Sequence, residues 1–382
     1  MRILIAFGTR PEIIKLAPVY RALSDSLDVT LDVFWSGQHI GLADGLLDLF
    51  GIDVTHAGSD VVHTAGLAGK FGLVAQQIED VLQSARYDWL VVQGDTATAA
   101  AAAIAGFFNK VRVAHVEAGL RTGNLLSPWP EELNRRAITL CTDLHFAPTR
   151  TAADNLLAEG VKPRAIHVVG NTVVDALLHV RSLVRQKYTP LEPSIRSLPQ
   201  NKKLVLVTTH RRENFGEPLR QILLALKALG EDGDKTVVLP VHLNPHVRSE
   251  VSRILGHAPG VHLVEPLQYP DFVYLLERAW VVVTDSGGVQ EEAPTFGLPV
   301  IIARDTTERP EVVAAGFGRL VGSSFQAIVT AVREVTRHAR RQVLPGENPF
   351  GRGDAGRKIV NRLLAQRRRA EMRETAEHRI PA

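Results

Sequence analysis

Short, continuous apolar runs alternate with segments of helical period along almost the whole chain. Residues 3–7 read as a buried strand, followed by a helix over about 11–23. Residues 31–35, 89–93, 111–116, 144–147 and 165–169 read as further strands, with an alanine-rich helix over 96–108. A strand that is apolar at every position is covered on both faces, the mark of a parallel sheet between helical layers. A proline-dotted stretch over 188–199 interrupts the pattern. It restarts with strands at 204–208, 236–240, 261–264, 280–284 and 298–302. The pattern predicts an α/β protein of two doubly wound, Rossmann-like halves meeting near 170–172.

Composition narrows this picture. The chain has 382 residues, 45% of them hydrophobic and 22% charged, which excludes a disordered or fibrous protein. A length above about 300 residues agrees with two cores. Lys and Arg exceed Asp and Glu by 44 − 41 = 3, so the isoelectric point of about 9.0 does not by itself point to nucleic acid. The single cysteine, Cys141, excludes an internal disulfide and a cysteine-cage metal site, and leads to the expectation of a cytoplasmic protein. The start lacks a signal-peptide h-region, and no run of about 18 apolar residues exists, so no membrane span is expected. The end, 356–382, reads as an Arg- and Ala-rich helix, solvated because glutamates interleave with its basic residues.

Ligands of open parallel sheets bind beyond the carboxyl ends of the strands, which ranks the polar residues. Gly8-Thr9-Arg10-Pro11-Glu12, Gln93-Gly94-Asp95-Thr96 and Glu117-Ala118-Gly119 leave strands of the first half. Thr209-His210-Arg211-Arg212-Glu213-Asn214 and Asp285-Ser286-Gly287-Gly288 leave strands of the second. Both halves direct ionisable groups to one face, so a cleft between the domains is the expected site.

Ser286, Gly287 and Gly288 stand just before a helix, where glycines admit an anion to unpaired N–H groups; this suits a phosphate or pyrophosphate. The plainer reading is a strand-to-helix turn with Ser286 as cap. Glu291-Glu292 places a carboxylate a turn further on, which suits ribose hydroxyls. Arg10, Lys15 and Arg309 are candidate phosphate cations, and Asp95, Glu117 and Glu131 are candidate proton carriers. Against that, Asp95 suits an N-cap, and Glu131 with Arg135 suits an i,i+4 pair. His210 ends a strand, where it can change charge near neutrality and donate to phosphate. GxxxxGK[ST], GxSxG, HExxH and a GxGxxG after the first strand are absent, which disfavours P-loop kinases and nicotinamide dehydrogenases. His242 and His246 are four apart, but Pro245 argues against a helical metal pair; no metal or cofactor is expected.

These blocks, with His115-Val116-Glu117-Ala118-Gly119-Leu120-Arg121, Pro130-Glu131-Glu132-Leu133-Asn134-Arg135 and Thr307-Glu308-Arg309-Pro310-Glu311, resemble the non-hydrolysing bacterial UDP-N-acetylglucosamine 2-epimerase family. They stand in family order to about Asn361. The resemblance implies a GT-B-like fold with domains 1–170 plus 357–382 and 171–356, the final helix returning to the first domain, and a homodimer. It implies that Ser286, Gly287 and Gly288 take the diphosphate, Glu292 the ribose and Phe272 the uracil region. It places Arg10, Lys15, Arg135, His210 and Arg309 against phosphate or sugar, and gives Asp95, Glu117, Glu131 and His210 the catalytic roles. One departure stands at Gln38-His39-Ile40-Gly41, where family members carry an arginine of a second, regulatory substrate site.

The implied reaction is epimerisation at C2 between UDP-GlcNAc and UDP-ManNAc. No ring carbonyl adjoins C2, so elimination of UDP and its re-addition through a 2-acetamidoglucal is the available route. It demands one acid–base group per face and cations at the leaving pyrophosphate. A hydrolysing epimerase, a GT-B glycosyltransferase and a nucleotide sensor are the alternatives.

Overall fold

The computed structural model describes residues 1–37, 44–186, 188–209, 211, 214–242 and 244–377. They divide into two compact units: Met1–Ala176 with Gly351–Ala382, and Leu177–Phe350.

Among the described residues, the first unit holds one parallel sheet. Its strands are β1 (Arg2–Phe7), β2 (Thr30–Trp35), β3 (His56–Ala57), β4 (Trp89–Gln93), β5 (Arg112–Val116), β6 (Leu144–Ala147) and β7 (Ile166–Val168). Their spatial order is β3-β2-β1-β4-β5-β6-β7. Ile5 lies in register between Val33 and Val91, and all three are buried, so the apolar runs became central strands. The connecting helices are α1 (Arg10–Ser24), α2 (Asp44–Phe50), α3 (Leu67–Ser84), α4 (Ala97–Phe108), α5 (Glu131–Cys141) and α6 (Arg150–Ala158); α7 (Thr172–Arg185) begins in the first unit and continues into the second from Leu177. Helix α4 starts where the Thr96 side chain accepts a hydrogen bond from the Ala99 N–H at 3.0 Å. Its alanines and Gly106 let it lie close to the sheet: a Cβ at Gly106 would stand 2.8 Å from Leu90 Cδ2.

The second unit repeats the plan with β8 (Lys203–Thr208), β9 (Lys235–Pro240), β10 (Val261–Val264), β11 (Val281–Thr284), β12 (Val300–Ile302) and β13 (Gly318–Leu320). Their order is β10-β9-β8-β11-β12-β13, again parallel among the described residues. Its helices are α8 (Pro193–Arg196), α9 (Glu217–Glu231), α10 (Pro245–Leu255), α11 (Tyr269–Arg278), α12 (Gly287–Glu292), α13 (Pro310–Ala314) and α14 (Phe325–Thr336). Val205, Val207, Val237, Leu239, Val281 and Val283 meet Leu223 and Leu226 of α9 in the core. The proline-dotted stretch is fastened to α11: buried Asp271 accepts from Tyr188 Oη (2.6 Å) and the N–H groups of Leu191 and Glu192 (both 2.9 Å).

The last helix, α15 (Ala355–Glu377), packs on α1 in the first unit. Asp175 of α7 caps it, accepting from the N–H groups of Gly356 (2.9 Å) and Ala355 (3.2 Å). Arg367, within the basic run, donates to the Asp28 carbonyl at 3.1 Å.

Two edge strands, β3 and β13, escape the hydrophobic pattern because each is only two or three residues long. The strand expected over 298–302 begins at Val300: Pro299 has no N–H for the ladder, although its carbonyl accepts from Val282 N–H at 3.0 Å. In each sheet the chain reverses direction of winding beside its first strand, between β1 and β4 and between β8 and β11. Such switch points open a crevice at the strands' carboxyl ends.

Candidate active site

In the first unit, the turn after β1 is packed too tightly for a side chain. A Cβ at Gly8 would stand 2.1 Å from Ser36 Oγ and 2.5 Å from Thr98 Oγ1. The turn is held by Glu12, whose carboxylate accepts from Gly8 N–H (3.1 Å), Thr9 Oγ1 (2.8 Å) and Thr96 Oγ1 (2.7 Å). Glu12 thus ties the β1–α1 turn, which carries Arg10, to the β4–α4 turn, which carries Asp95. Burial pushes its carboxyl up to about 7, against the lowering effect of those three donors.

Lys15 lies a turn and a half into α1, and its ammonium donates to Glu117 Oε1. Gln93, the last residue of β4, donates to Glu117 Oε2, and Asn171 donates to Oε1 at 2.9 Å. Glu117 itself takes φ = 64°, a backbone region that a glutamate adopts only when its surroundings fix it. The side chain is therefore aimed by both its backbone and three donors. Behind it, neutral His115 anchors the neighbouring turn with Nε2 2.8 Å from the Gly94 carbonyl, burial holding the ring down at about 3.

Asp95 sits at the switch point. Its Oδ2 accepts from Arg135 Nε at 2.9 Å and Nη2 at 2.7 Å, and its carbonyl accepts from Asn134 Nδ2 at 2.8 Å. Helix α5 thus grips the β4–α4 turn with its first turn. The cap expected of Asp95 is supplied by Thr96 instead. The i,i+4 pairing of Arg135 with Glu131 is likewise replaced: Arg135 turns to Asp95 and to Glu132 (3.1 Å). Glu131 Oε2 is buried without a partner among the described residues, an arrangement that leaves one carboxylate oxygen uncommitted beside this cluster.

In the second unit, Asp285 follows β11 and is fully buried. Its Oδ2 accepts from Thr209 Oγ1 (3.1 Å), Arg211 N–H (3.1 Å) and Asn214 Nδ2 (2.9 Å), so it fixes the segment after β8. Ser286 occupies the N-cap position of α12 but makes no capping side-chain bond. Two guanidinium groups lie over the start of this helix: a Cβ at Gly287 would stand 3.6 Å from Arg309 Nη2 and 3.7 Å from Arg211 Nη2. Arg309 is oriented by buried Glu291, to which its Nε donates at 2.5 Å. Arg211 Nε is buried without a partner among the described residues. Backbone N–H groups and paired guanidinium groups around a glycine pair make an anion cradle. Glu292 faces Tyr269, whose hydroxyl donates to it at 2.9 Å. Phe272 lies on α11, three residues beyond Tyr269, partly exposed. Glu308 resists its own burial because Arg304 holds it, at 2.7 Å, down to about 2.

Each unit therefore gathers its own sequence-predicted residues: Arg10, Lys15, Asp95, Glu117, Glu131 and Arg135 in the first, Phe272, Ser286, Gly287, Gly288, Glu292 and Arg309 in the second. His210 and the Gln38-His39-Ile40-Gly41 segment lie outside the described residues. His242 precedes α10, which Pro245 opens, so it shares no helical face with His246. No group of three potential metal ligands gathers among the described residues, and no described helix is long and apolar enough to cross a membrane.

Sequence reasoning passed over Glu12, Gln93, Asn171, Arg211 and Asp285. Four of them stood in motifs already singled out, at or within a few residues of a strand's carboxyl end, and that position was the available signal. Asn171 carried none, since only the fold brings it to Glu117.

The UDP-N-acetylglucosamine 2-epimerase family model matches residues 21–364. The UDP-N-acetylglucosamine 2-epimerase of Escherichia coli K12 is 42% identical over 373 residues, covering 96% of this chain and 99% of that protein. Among solved structures, the UDP-GlcNAc 2-epimerase from Neisseria meningitidis bound to UDP-GlcNAc superposes with a TM-score of 0.88 at 39% identity, covering 96% of this chain and all of that one. The S. aureus MnaA–UDP co-structure gives 0.86 at 38% identity, over 95% of each chain. The GT-B-like pair of parallel sheets, the motif order and the near-complete coverage agree, and the chain belongs to the UDP-N-acetylglucosamine 2-epimerase family.

Proposed function

We propose that this enzyme interconverts UDP-GlcNAc and UDP-ManNAc by eliminating UDP across C1–C2 and adding it back after protonation of the opposite face. The observation that carries this reading is the division of chemistry between two switch points. Fixed carboxylates stand after β4 and β5, and an anion cradle stands after β11.

The cradle suits the pyrophosphate, with Ser286, Gly287 and Gly288 supplying polar groups and Arg309 and Arg211 the charge. Glu292 is assigned to the ribose and Phe272 to the uracil region. Stabilising the departing UDP is the main electrostatic demand of elimination, and preorganised cations meet it without rearrangement at the moment of reaction. Asp95, Glu117 and Glu131 are the acid–base groups, with His210 assisting at the leaving phosphate. Lys15 and Arg135 act chiefly through carboxylates, Lys15 aiming Glu117 and Arg135 aiming Asp95; Arg10, the first residue of α1, is assigned as a cation for phosphate or sugar. The same reading carries a homodimer, a cytoplasmic location and supply of N-acetylmannosamine units to surface polysaccharide.

The test is product analysis with UDP-GlcNAc alone. A mixture of UDP-GlcNAc and UDP-ManNAc is expected. Accumulation of free N-acetylmannosamine with UDP would reassign the enzyme as a hydrolysing epimerase, and absence of turnover would make it a nucleotide-binding protein or a transferase awaiting its acceptor.

A further inference from the structure

The first unit contains a second concave site, at the end of the strands opposite the carboxylates. It has a volume of about 690 Å³, inside the usual range for small-ligand pockets. It is formed where α5 ends, where β6 and β7 begin, and where α6 gives way to the segment before β7.

Its charges are uneven. Arg136, Lys162 and Arg164 line it. The side chains of Lys162 and Arg164 are exposed and have no ion-pair or hydrogen-bond partner among the described residues; Arg136 pairs with Glu132 at 3.5 Å and also acts on the charge of Glu159. Of the two carboxylates in the lining, Glu159 is neutralised by Arg121, which grips both its oxygens at 2.7 Å. The other, Asp143, spends Oδ2 on the Val113 N–H at 2.9 Å. Leu140, Val161 and Ala165 supply apolar surface, and Thr139 and Thr142 hydroxyls. His145 lines the cavity although it is 1% exposed, and its Nδ1 is buried without a partner among the described residues.

We infer that this cavity binds a small phosphate-bearing metabolite, its phosphate against Lys162, Arg164 and Arg136 and its carbon skeleton against Leu140 and Val161. Unpaired cations around a concave surface attract an anion, and apolar walls of this extent exceed what a bare ion needs. The site is joined to the carboxylate cluster by hydrogen bonds. Arg121 donates to Thr139 Oγ1 (2.8 Å), Thr139 donates to the Arg135 carbonyl (2.9 Å), and Arg135 grips Asp95. A ligand against Thr139 and Glu159 therefore touches the helix that aims Asp95. The inference stands whether or not the chain is an epimerase, since it uses none of the proposed substrate contacts.

The test is a titration of the full chain with inorganic phosphate at constant ionic strength, read from the backbone amide signals of Gly160 and Val161 by NMR. Saturable shifts are expected for the wild type, with at least a tenfold weaker response in Lys162→Glu/Arg164→Glu. Both substitutions fall on exposed side chains, so the variant's spectrum elsewhere should be unchanged. Shifts that fail to saturate in the wild type, or that persist unchanged in the variant, would overturn the inference.

Discussion

Lys15 and Glu117, 102 residues apart in sequence, form a buried ion pair that joins α1 to the end of β5. It connects the helix after the first switch-point turn to a carboxylate fixed by its backbone and by three donors. Removing one member of such a pair leaves a buried charge without its counterion, which typically costs about 3–5 kcal/mol. Lys15→Met is expected to lose stability in that range, even though Gln93 and Asn171 still donate to Glu117. Lys15→Met/Glu117→Gln should lose less than the sum of the single changes by at least about 1 kcal/mol. Urea unfolding of the four proteins measures this; strict additivity would contradict the pairing.

Arg135 binds Asp95 through two nitrogens of one planar guanidinium. Lysine offers a point charge and cannot reproduce that grip. Arg135→Lys should lower kcat by roughly 10- to 100-fold through misplacement of Asp95, with UDP affinity unchanged. Steady-state kinetics beside calorimetric UDP titration separates the two. A loss of UDP affinity equal to the loss of turnover would make Arg135 a nucleotide contact instead.

Glu12 links folding to pH. Its carboxyl is raised from the ordinary 4.5 to about 7 by burial. Its contribution to stability is therefore fully present below pH 4.5 and is lost as pH rises through about 7, a change of roughly 3 kcal/mol. Glu12→Gln should remove most of that slope, since the amide is neutral throughout. Urea midpoints at pH 5 and pH 7.5 for both proteins give the comparison, and an equal slope in the two would assign the pH dependence elsewhere.

Arg211 makes no side-chain hydrogen bond through Nε, while its guanidinium stands beside Gly287. Arg211→Ala should leave stability nearly unchanged and weaken UDP binding about 10- to 100-fold, the value of one charged hydrogen bond to phosphate. Uridine affinity should hardly move. Equal weakening of uridine and UDP would take Arg211 away from the phosphates.

Much of the architecture was legible because the central strands are nearly continuous apolar runs: 3–7, 89–92 and 280–283 carry no polar side chain, as a strand covered on both faces of a parallel sheet requires. Two-residue β3 carried no such run and exists because β2 offers it an edge. In the candidate site, position after a strand was enough to select Asp95, Glu117 and Ser286. What sequence spacing could not show was the choice among partners. Arg135 is one turn from Glu131 and 40 residues from Asp95, yet it takes Asp95, because folding delivers the β4–α4 turn to the first turn of α5. Lys15 was read as a phosphate cation for the same reason: its neighbour Glu117 is close only in three dimensions.

The central claim, elimination through a 2-acetamidoglucal, is tested most directly by proton NMR of UDP-GlcNAc incubated with the enzyme in D2O. Removal and return of the C2 proton through solvent-exchangeable carboxylates should place deuterium at C2 of UDP-ManNAc and, with time, of the recovered UDP-GlcNAc. Epimerisation with protium fully retained at C2 would contradict it.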